Sequence, residues 1–234
     1  DLADSPRYGD ARPGLYAITL DGAERSFTYW RSDAVARRLA DDRDALARSL
    51  SGRDLIYFSG ISLAILSPTA RNHLMAGIAA ARAAGSRIAF DPNYRPRLWP
   101  QREMAQEVIT AALRLADIVL PTFDDERLLF GDAAPQATSQ RLKALGVPEC
   151  VVKNGAQPAL LSVDGKALEI PAQGDAKPVD TSGAGDAFNG AYLAARMQSR
   201  GPAAAAEFAH RIAALAIGVR GALTPFEVLQ TTVA

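Results

Sequence analysis

The stretch Asp180-Thr181-Ser182-Gly183-Ala184-Gly185-Asp186 puts two glycines and two carboxylates directly ahead of a long, alanine-rich apolar run. Glycine costs about 1 kcal/mol in a helix interior, so its use where a helix must start needs another reason. Successive backbone N–H groups at a helix N-terminus, with no side chains in the way at Gly183 and Gly185, form an anion site. Asp186 falls within the first turn, where the helix dipole favours a carboxylate. An ionised acid beside a phosphate cradle suits phosphoryl transfer. It can accept a hydroxyl proton while the amides hold the developing charge. The same string also reads as a glycine-rich turn with Asp186 as an ordinary helix-start acid, and spacing alone does not choose between the two. There is no G-x-x-x-x-G-K-[ST] phosphate loop, since Gly165-Lys166 is followed by alanine.

The elements around this stretch predict how it is held. Residues 14–31 read as a β-hairpin: Leu15, Ala17 and Thr19 alternate with Tyr16, Ile18 and Leu20. A turn at Asp21-Gly22 and the aromatic run "SFTYW" follow. After Ser32, a candidate N-cap, Val35, Leu39, Leu46 and Leu50 mark helical faces out to Gly52. From there strands and helices alternate: "DLIYFSG", a helix opened by Ser67-Pro68, "RIAFD", a helix over 101–116, "DIVLP", "DDERLLFG", a helix near 137–145, and "ECVVKNG". A strand pair turns at Asp164-Gly165, and two long helices cover 184–199 and 202–218. This alternation predicts an α/β fold with a mostly parallel sheet. Ligands of such sheets bind outside the carboxyl ends of the strands. The polar residues to weigh are therefore Ser59-Gly60 and those in 91–99, 121–126, 153–155 and 180–186.

Composition narrows the function classes. The chain has 234 residues, 48% of them hydrophobic, which suffices for a substantial core. The 26 basic and 26 acidic residues balance, which argues against a nucleic-acid or acidic-membrane role. Cys150 is the only cysteine, so a disulfide within the chain is excluded; in "CVV" it reads as a small buried hydrophobe. No apolar run approaches 18 residues. The first residues, "DLADSPRYGD", do not read as a signal peptide, and a reducing cytoplasm is the expected setting.

"DTSGAGDAFNGAYLA" matches the D-T-x-G-A-G-D-x-F signature of the ribokinase-like (PfkB) carbohydrate kinases. "RPGLYAI", "ERSFTYWR", "SGISLAILSP", "FDPNYRPRLW" and "VVKNGA" extend the resemblance from residue 12 to residue 188. They most resemble the members that phosphorylate a sugar acid, 2-dehydro-3-deoxy-D-gluconate, at its terminal hydroxyl. The resemblance implies a ribokinase-like α/β core over 32–234 with residues 14–31 as a lid hairpin. It also implies ATP with Mg²⁺, and a monovalent cation such as K⁺ at the loop of Asp180 and Thr181. Asp186 then matches the catalytic base, and Gly183, Ala184 and Gly185 the anion hole. Tyr16, Tyr29, Arg31 and Arg95, together with Asp186, match the sugar-acid contacts. Asn93, Lys153, Asn154 and Gly155, with the anion-hole residues, match the nucleotide site. Two departures stand out. Where many relatives carry N-x-x-E for magnesium, this chain has Thr122 and Asp125, and Asp125 can act on Mg²⁺ through water. Relatives also place a strand, a glycine-rich sugar-binding segment and lid strands ahead of the point matching Asp1, so the chain is expected to be a fragment of a longer protein.

The residue types agree with a sugar-acid reading. Arginine's planar fork suits a carboxylate, and Arg31 and Arg95 each follow a strand. Either one alone would equally serve on a solvated surface. Tyr16 and Tyr29 could simply pack the hairpin. Arg95 is preferred over Arg97 because it completes "NYR". His73 and His210 fall inside helices and read as structural. The hairpin has two apolar faces, one carrying Tyr16 and Tyr29 and the other Leu15 and Trp30. A single cleft needs only one of them, so a homodimer or larger assembly through the hairpin is expected. Another sugar kinase of the family, such as a fructokinase, and a catalytically silent sugar-acid or nucleotide binder are the competing readings.

Overall fold

Apolar runs such as "RIAFD" and "ECVV" have no polar face, as befits strands covered on both sides. In the computed structural model, which describes residues 5–21, 24–172 and 178–233, they form the middle of a six-stranded sheet. The hairpin β1 (Leu15–Asp21) and β2 (Glu24–Trp30) makes a separate two-stranded antiparallel sheet. Helix α1 (Arg43–Leu50) leads to β3 (Leu55–Ser59), α2 (Gly60–Ile65), α3 (Pro68–Ala83) and β4 (Arg87–Asp91). Then come α4 (Arg102–Leu113), β5 (Ile118–Val119), α5 (Phe123–Phe130), α6 (Pro135–Ala144) and β6 (Glu149–Val152). The chain continues through β7 (Ala159–Val163), β8 (Lys166–Ile170), α7 (Ala184–Met197), α8 (Pro202–Ile217) and α9 (Phe226–Val233). The large sheet runs in sequence order from β3 to β8. β3 through β6 are parallel, and β7 and β8 return antiparallel.

Alternate side chains of each strand serve two helical layers. Ile88 and Phe90 of β4 join Leu74, Ile78, Ile109 and Leu142 on one face. Ala89, between them, joins Ile118, Val151, Phe188, Tyr192 and Ile212 on the other. Cys150 is buried, and burial pushes its thiol up to about 11, in keeping with a packing role. Among the described residues no helix is long and apolar enough to cross a membrane.

The expected mostly parallel α/β order is observed, with local differences. The helical pattern after Ser32 is not one helix. A 3-10 turn at Val35–Arg38 ends, and α1 restarts where the Asp42 side chain accepts from the N–H groups of Asp44 and Ala45 at 3.0 Å each. A new N-cap inside the apolar pattern breaks it. Ser67 does cap α3, accepting from Ala70 N–H at 3.2 Å, with Pro68 at the first position. Helices α2 and α9 were not expected, and α2, with six residues, is too short to declare a period. The hairpin pairs Leu15 with Trp30 and Tyr16 with Tyr29, as the two-face reading requires. Its turn residue Gly22 lies outside the described residues, as do the side chains of Ile18 and Leu20.

Candidate active site

The 180–183 turn delivers the chain into α7. One Asp180 oxygen accepts from Ser182 N–H at 2.8 Å, and the other accepts from Gly221 N–H at 3.1 Å. The carboxylate thus clamps the turn to the segment after α8. Gly183 takes φ +76°, and a Cβ there would sit 2.6 Å from the Ala222 carbonyl oxygen. Only glycine fits both the left-handed conformation and the close approach. Among the described residues no side chain caps α7; Ala184 N–H donates to the Thr181 carbonyl at 3.4 Å, and the other amides of the first turn face whatever lies in front.

In front lies a cleft of about 530 Å³, lined by residues 181–186 together with Asp91, Asn93, Arg95, Thr122, Asp124, Asp125 and Lys153. They come from the carboxyl ends of β4, β5 and β6, as the fold predicts. Asp186 is exposed into it. Arg95 is not free: its Nη1 donates to both oxygens of Asp125, at 3.1 and 3.0 Å, and to the Tyr94 carbonyl at 2.7 Å. Burial raises the Asp125 carboxyl above its ordinary value, opposed by the Arg95 guanidinium. Asp125 is held in place by its neighbour. Glu126, fully buried, pairs with Arg141, which also grips Asp132 at 2.7 Å, fixing α5 against α6. Asn93 takes φ +38°. Its N–H donates to Asp91 at 3.0 Å, while its buried Oδ1 has no partner among the described residues.

The cleft floor is a buried polar ring. Lys153 Nζ donates to Asp91 Oδ2 and to Asn189 Oδ1, each at 2.9 Å. Asn189 Nδ2 donates to Asp91 Oδ2 at 2.7 Å and to the Tyr57 hydroxyl at 3.2 Å. Burial, helped by Asp91, raises the Tyr57 hydroxyl well above its ordinary value.

A second cleft, about 450 Å³, backs onto the same turn. It shares Thr181 and Ala184 with the first and is otherwise lined by Gly155, Ala156, Ala172, Pro178, His210, Ala213, Ala214 and Ile217. His210 is buried. Burial lowers its pKa against a hydrogen bond to the Ile170 backbone, and its Nε2 has no partner among the described residues. The site thus joins a polar, charged chamber to an apolar one across a glycine turn.

The description "pfkB family carbohydrate kinase" matches residues 1–229. The chain belongs to the pfkB family of carbohydrate kinases. It is 41% identical over 229 residues to the 2-dehydro-3-deoxygluconokinase of Dickeya dadantii, covering 95% of this chain and 74% of that one. The solved sugar kinase PH1459 of Pyrococcus horikoshii, in complex with ATP, superposes with a TM-score of 0.71 at 26% identity, over 92% of this chain and 68% of that one. A ribokinase II from Escherichia coli, solved with ATP and Mg²⁺, shares the fold with a TM-score of 0.74 at 24% identity, over 93% and 70% of the two chains.

In this kinase the structure gathers most of the expected residues and leaves others outside. Asp186, Gly183, Ala184, Gly185, Asn93, Arg95, Asp125 and Lys153 share the polar cleft. Gly155 lines the apolar one, and Asn154, beside it, lines neither. Tyr16, Tyr29 and Arg31 do not line either cleft. They stay on the hairpin, with the two rings 6.3 Å apart and the Arg31 guanidinium 3.9 Å over the Tyr29 ring. His73 is structural as expected, its Nδ1 lying 3.0 Å from the Ala40 carbonyl, but His210 borders a cleft. Sequence reasoning placed Asp91 among the strand-end residues but gave it no role, and it missed Asn189 and Tyr57. Two signals were available: a carboxylate closing the apolar strand "RIAFD", and an asparagine on the buried face of α7.

Proposed function

We propose that this kinase transfers the γ-phosphoryl group of ATP to the 6-hydroxyl of 2-dehydro-3-deoxy-D-gluconate. The observation that carries the reading is the Asp186 carboxylate in the first turn of α7, at the mouth of an uncapped, glycine-lined helix start and facing a cleft that also holds Arg95. The sugar O–P bond forms, the bond from Pγ to the bridging oxygen of ADP breaks, and the hydroxyl proton passes to Asp186. The amides of the 183–185 turn hold the charge on the transferring group. Two of the three Lys153 N–H donors are committed to the ring, which leaves the third for a phosphate oxygen. The base of the nucleotide suits the apolar cleft, where the neutral His210 offers Nε2 as an acceptor for an exocyclic amine. Mg²⁺ fits the acidic edge: Asp124 and Asp125 border the cleft, and the unpartnered Asn93 Oδ1 supplies a further acceptor. These residues would hold the ion partly through water, and when bound it would supply charge neutralisation at the phosphates. K⁺ at the Asp180 loop would act on the same turn.

Arg95 is the residue here that would tell a sugar acid from a neutral sugar. A substrate carboxylate can take the guanidinium nitrogens that Asp125 leaves unused. A charged hydrogen bond lost on substitution is worth roughly 1.5–3 kcal/mol, so Arg95→Leu should raise KM for the sugar acid roughly tenfold to 100-fold. KM for fructose, itself a poor substrate, should change little. Steady-state assays of both sugars with ATP test the whole reading. Faster turnover of fructose than of the sugar acid would make this a fructokinase, and equal weakening of both sugars by Arg95→Leu would make Arg95 a general structural residue.

The hairpin is proposed as a lid over the sugar and as an association surface. Tyr16 and Tyr29 share one face. Leu15 and Trp30, opposite each other on the other face, are 61% and 57% exposed. An apolar patch of this kind marks association, and a second copy of the same hairpin is the simplest partner. Trp30→Glu should shift the sedimentation of the protein at tens of micromolar from dimer, or a multiple of it, toward monomer. A wild-type protein that already sediments as a monomer overturns the assignment.

A further inference from the structure

The reaction derived above makes no use of Asn189, yet α7 commits that side chain to the interior with 1% exposure. A buried amide is tolerated only when its partners are met, and here two of those partners are the charged groups of the cleft floor. We propose that Asn189 and Asp91 are positioning residues: the closed ring they form with Lys153 fixes the rotation of α7 and so places the Asp186 carboxylate at the cleft. This rests on the reading of Asp186 as the base.

The ring has one orientation. Asn189 accepts from an ammonium and donates to a carboxylate. Flipping the amide would set N–H against N–H and oxygen against oxygen. Its three members come from the end of β4, the residue after β6 and α7, so two parallel strands and the helix are tied at one point. Asp91 carries the constraint further, since its other oxygen holds Asn93 N–H at 3.0 Å. The far half of α7 has its own clamp: Tyr192 and Arg196 donate to the Glu149 carboxylate, at 2.7 Å from the hydroxyl and at 2.9 and 2.8 Å from the guanidinium. The ring secures the near half. Asp186 and Asn189 stand three residues apart and so are neighbours on the helix surface. At the outer radius of a helix, about 5–6 Å, a rotation of about 10° moves a side-chain tip by roughly 1 Å. Misplacement of that order costs on the order of 10²-fold in rate.

The test uses the intact kinase with ATP and sugar acid. Asn189→Leu keeps the branched shape and the helix but removes all three hydrogen bonds. It is expected to lower kcat per nucleotide-binding site about 30-fold, with KM for each substrate within about threefold, and to lower the thermal midpoint as well, because buried Lys153 and Asp91 each lose a partner. Asn189→Gln keeps the amide but displaces it. It should also lower kcat with KM preserved, and it supplies the readout if the leucine variant does not accumulate. A purely structural role predicts the same loss of stability and less folded protein, but with kcat per nucleotide-binding site unchanged. That result, or wild-type kcat in both variants, overturns the proposal. Asp186→Asn assayed in parallel separates the two ideas, because near-normal turnover there removes the base itself whatever Asn189 does.

Discussion

Asp186→Asn is expected to lower kcat by about 100-fold or more while nucleotide binding stays near wild type. General acid–base groups contribute about 10²–10⁴-fold, and the amide cannot accept the hydroxyl proton. The substitution is nearly isosteric, and the side chain is exposed at the cleft, so no packing is lost. The uncapped turn in front of α7 is untouched, so the amides remain for the phosphates. Steady-state kinetics with a parallel measurement of ATP binding read the two effects apart. Turnover within a few-fold of wild type would remove Asp186 from its role. Loss of nucleotide binding along with turnover would mean that the acid organises the turn and is not the base.

The second large effect is on the fold, at a residue far from the glycine motif in sequence. Gly60→Ala is expected to destabilise the kinase by about 3 kcal/mol, the upper end of ordinary overpacking, and to lower its thermal midpoint by roughly 6–12 °C. Gly60 is buried where β3 turns directly into α2. A Cβ there would lie 1.9 Å from the Pro92 carbonyl oxygen and 3.0 Å from its carbon. That obstacle is backbone and cannot swing aside as a side-chain tip could. Relief must come by moving the loop after β4, which carries Asn93 and Arg95 into the cleft. Activity should therefore fall together with stability. Differential scanning calorimetry with kinetics on the same samples checks it, and a midpoint unchanged within about 2 °C would show that α2 and this loop are not in close contact.

Much of this kinase could be read from its chain. Alternating apolar runs and periodic stretches predicted the order of strands and helices from Leu55 to Ile217, α2 excepted, because strand and helix periods are local properties. The glycine turn and its acid were legible for the same reason. Gly183 needs a left-handed conformation, and Asp186 follows it within one turn. Where local signals competed, the reading failed: Asp42 restarted a helix inside an apolar pattern, and the six residues of α2 were too few to show a period.

The partners of the charges were settled only by tertiary structure. Arg95 reads as a loose cation after a strand, yet it meets Asp125, 30 residues away. Lys153 reads as a nucleotide contact, yet two of its donors are spent on Asp91, 62 residues earlier, and Asn189, 36 residues later. The division of the site into a polar and an apolar chamber, with Gly155 in one and Lys153 in the other, follows from where the chain turns after β6. Sequence fixes which residues can carry charge, donate or bend. Which of them meet depends on the parallel order of the strands, which brings their carboxyl ends together and lets buried charges find each other, because leaving them unpaired would cost too much.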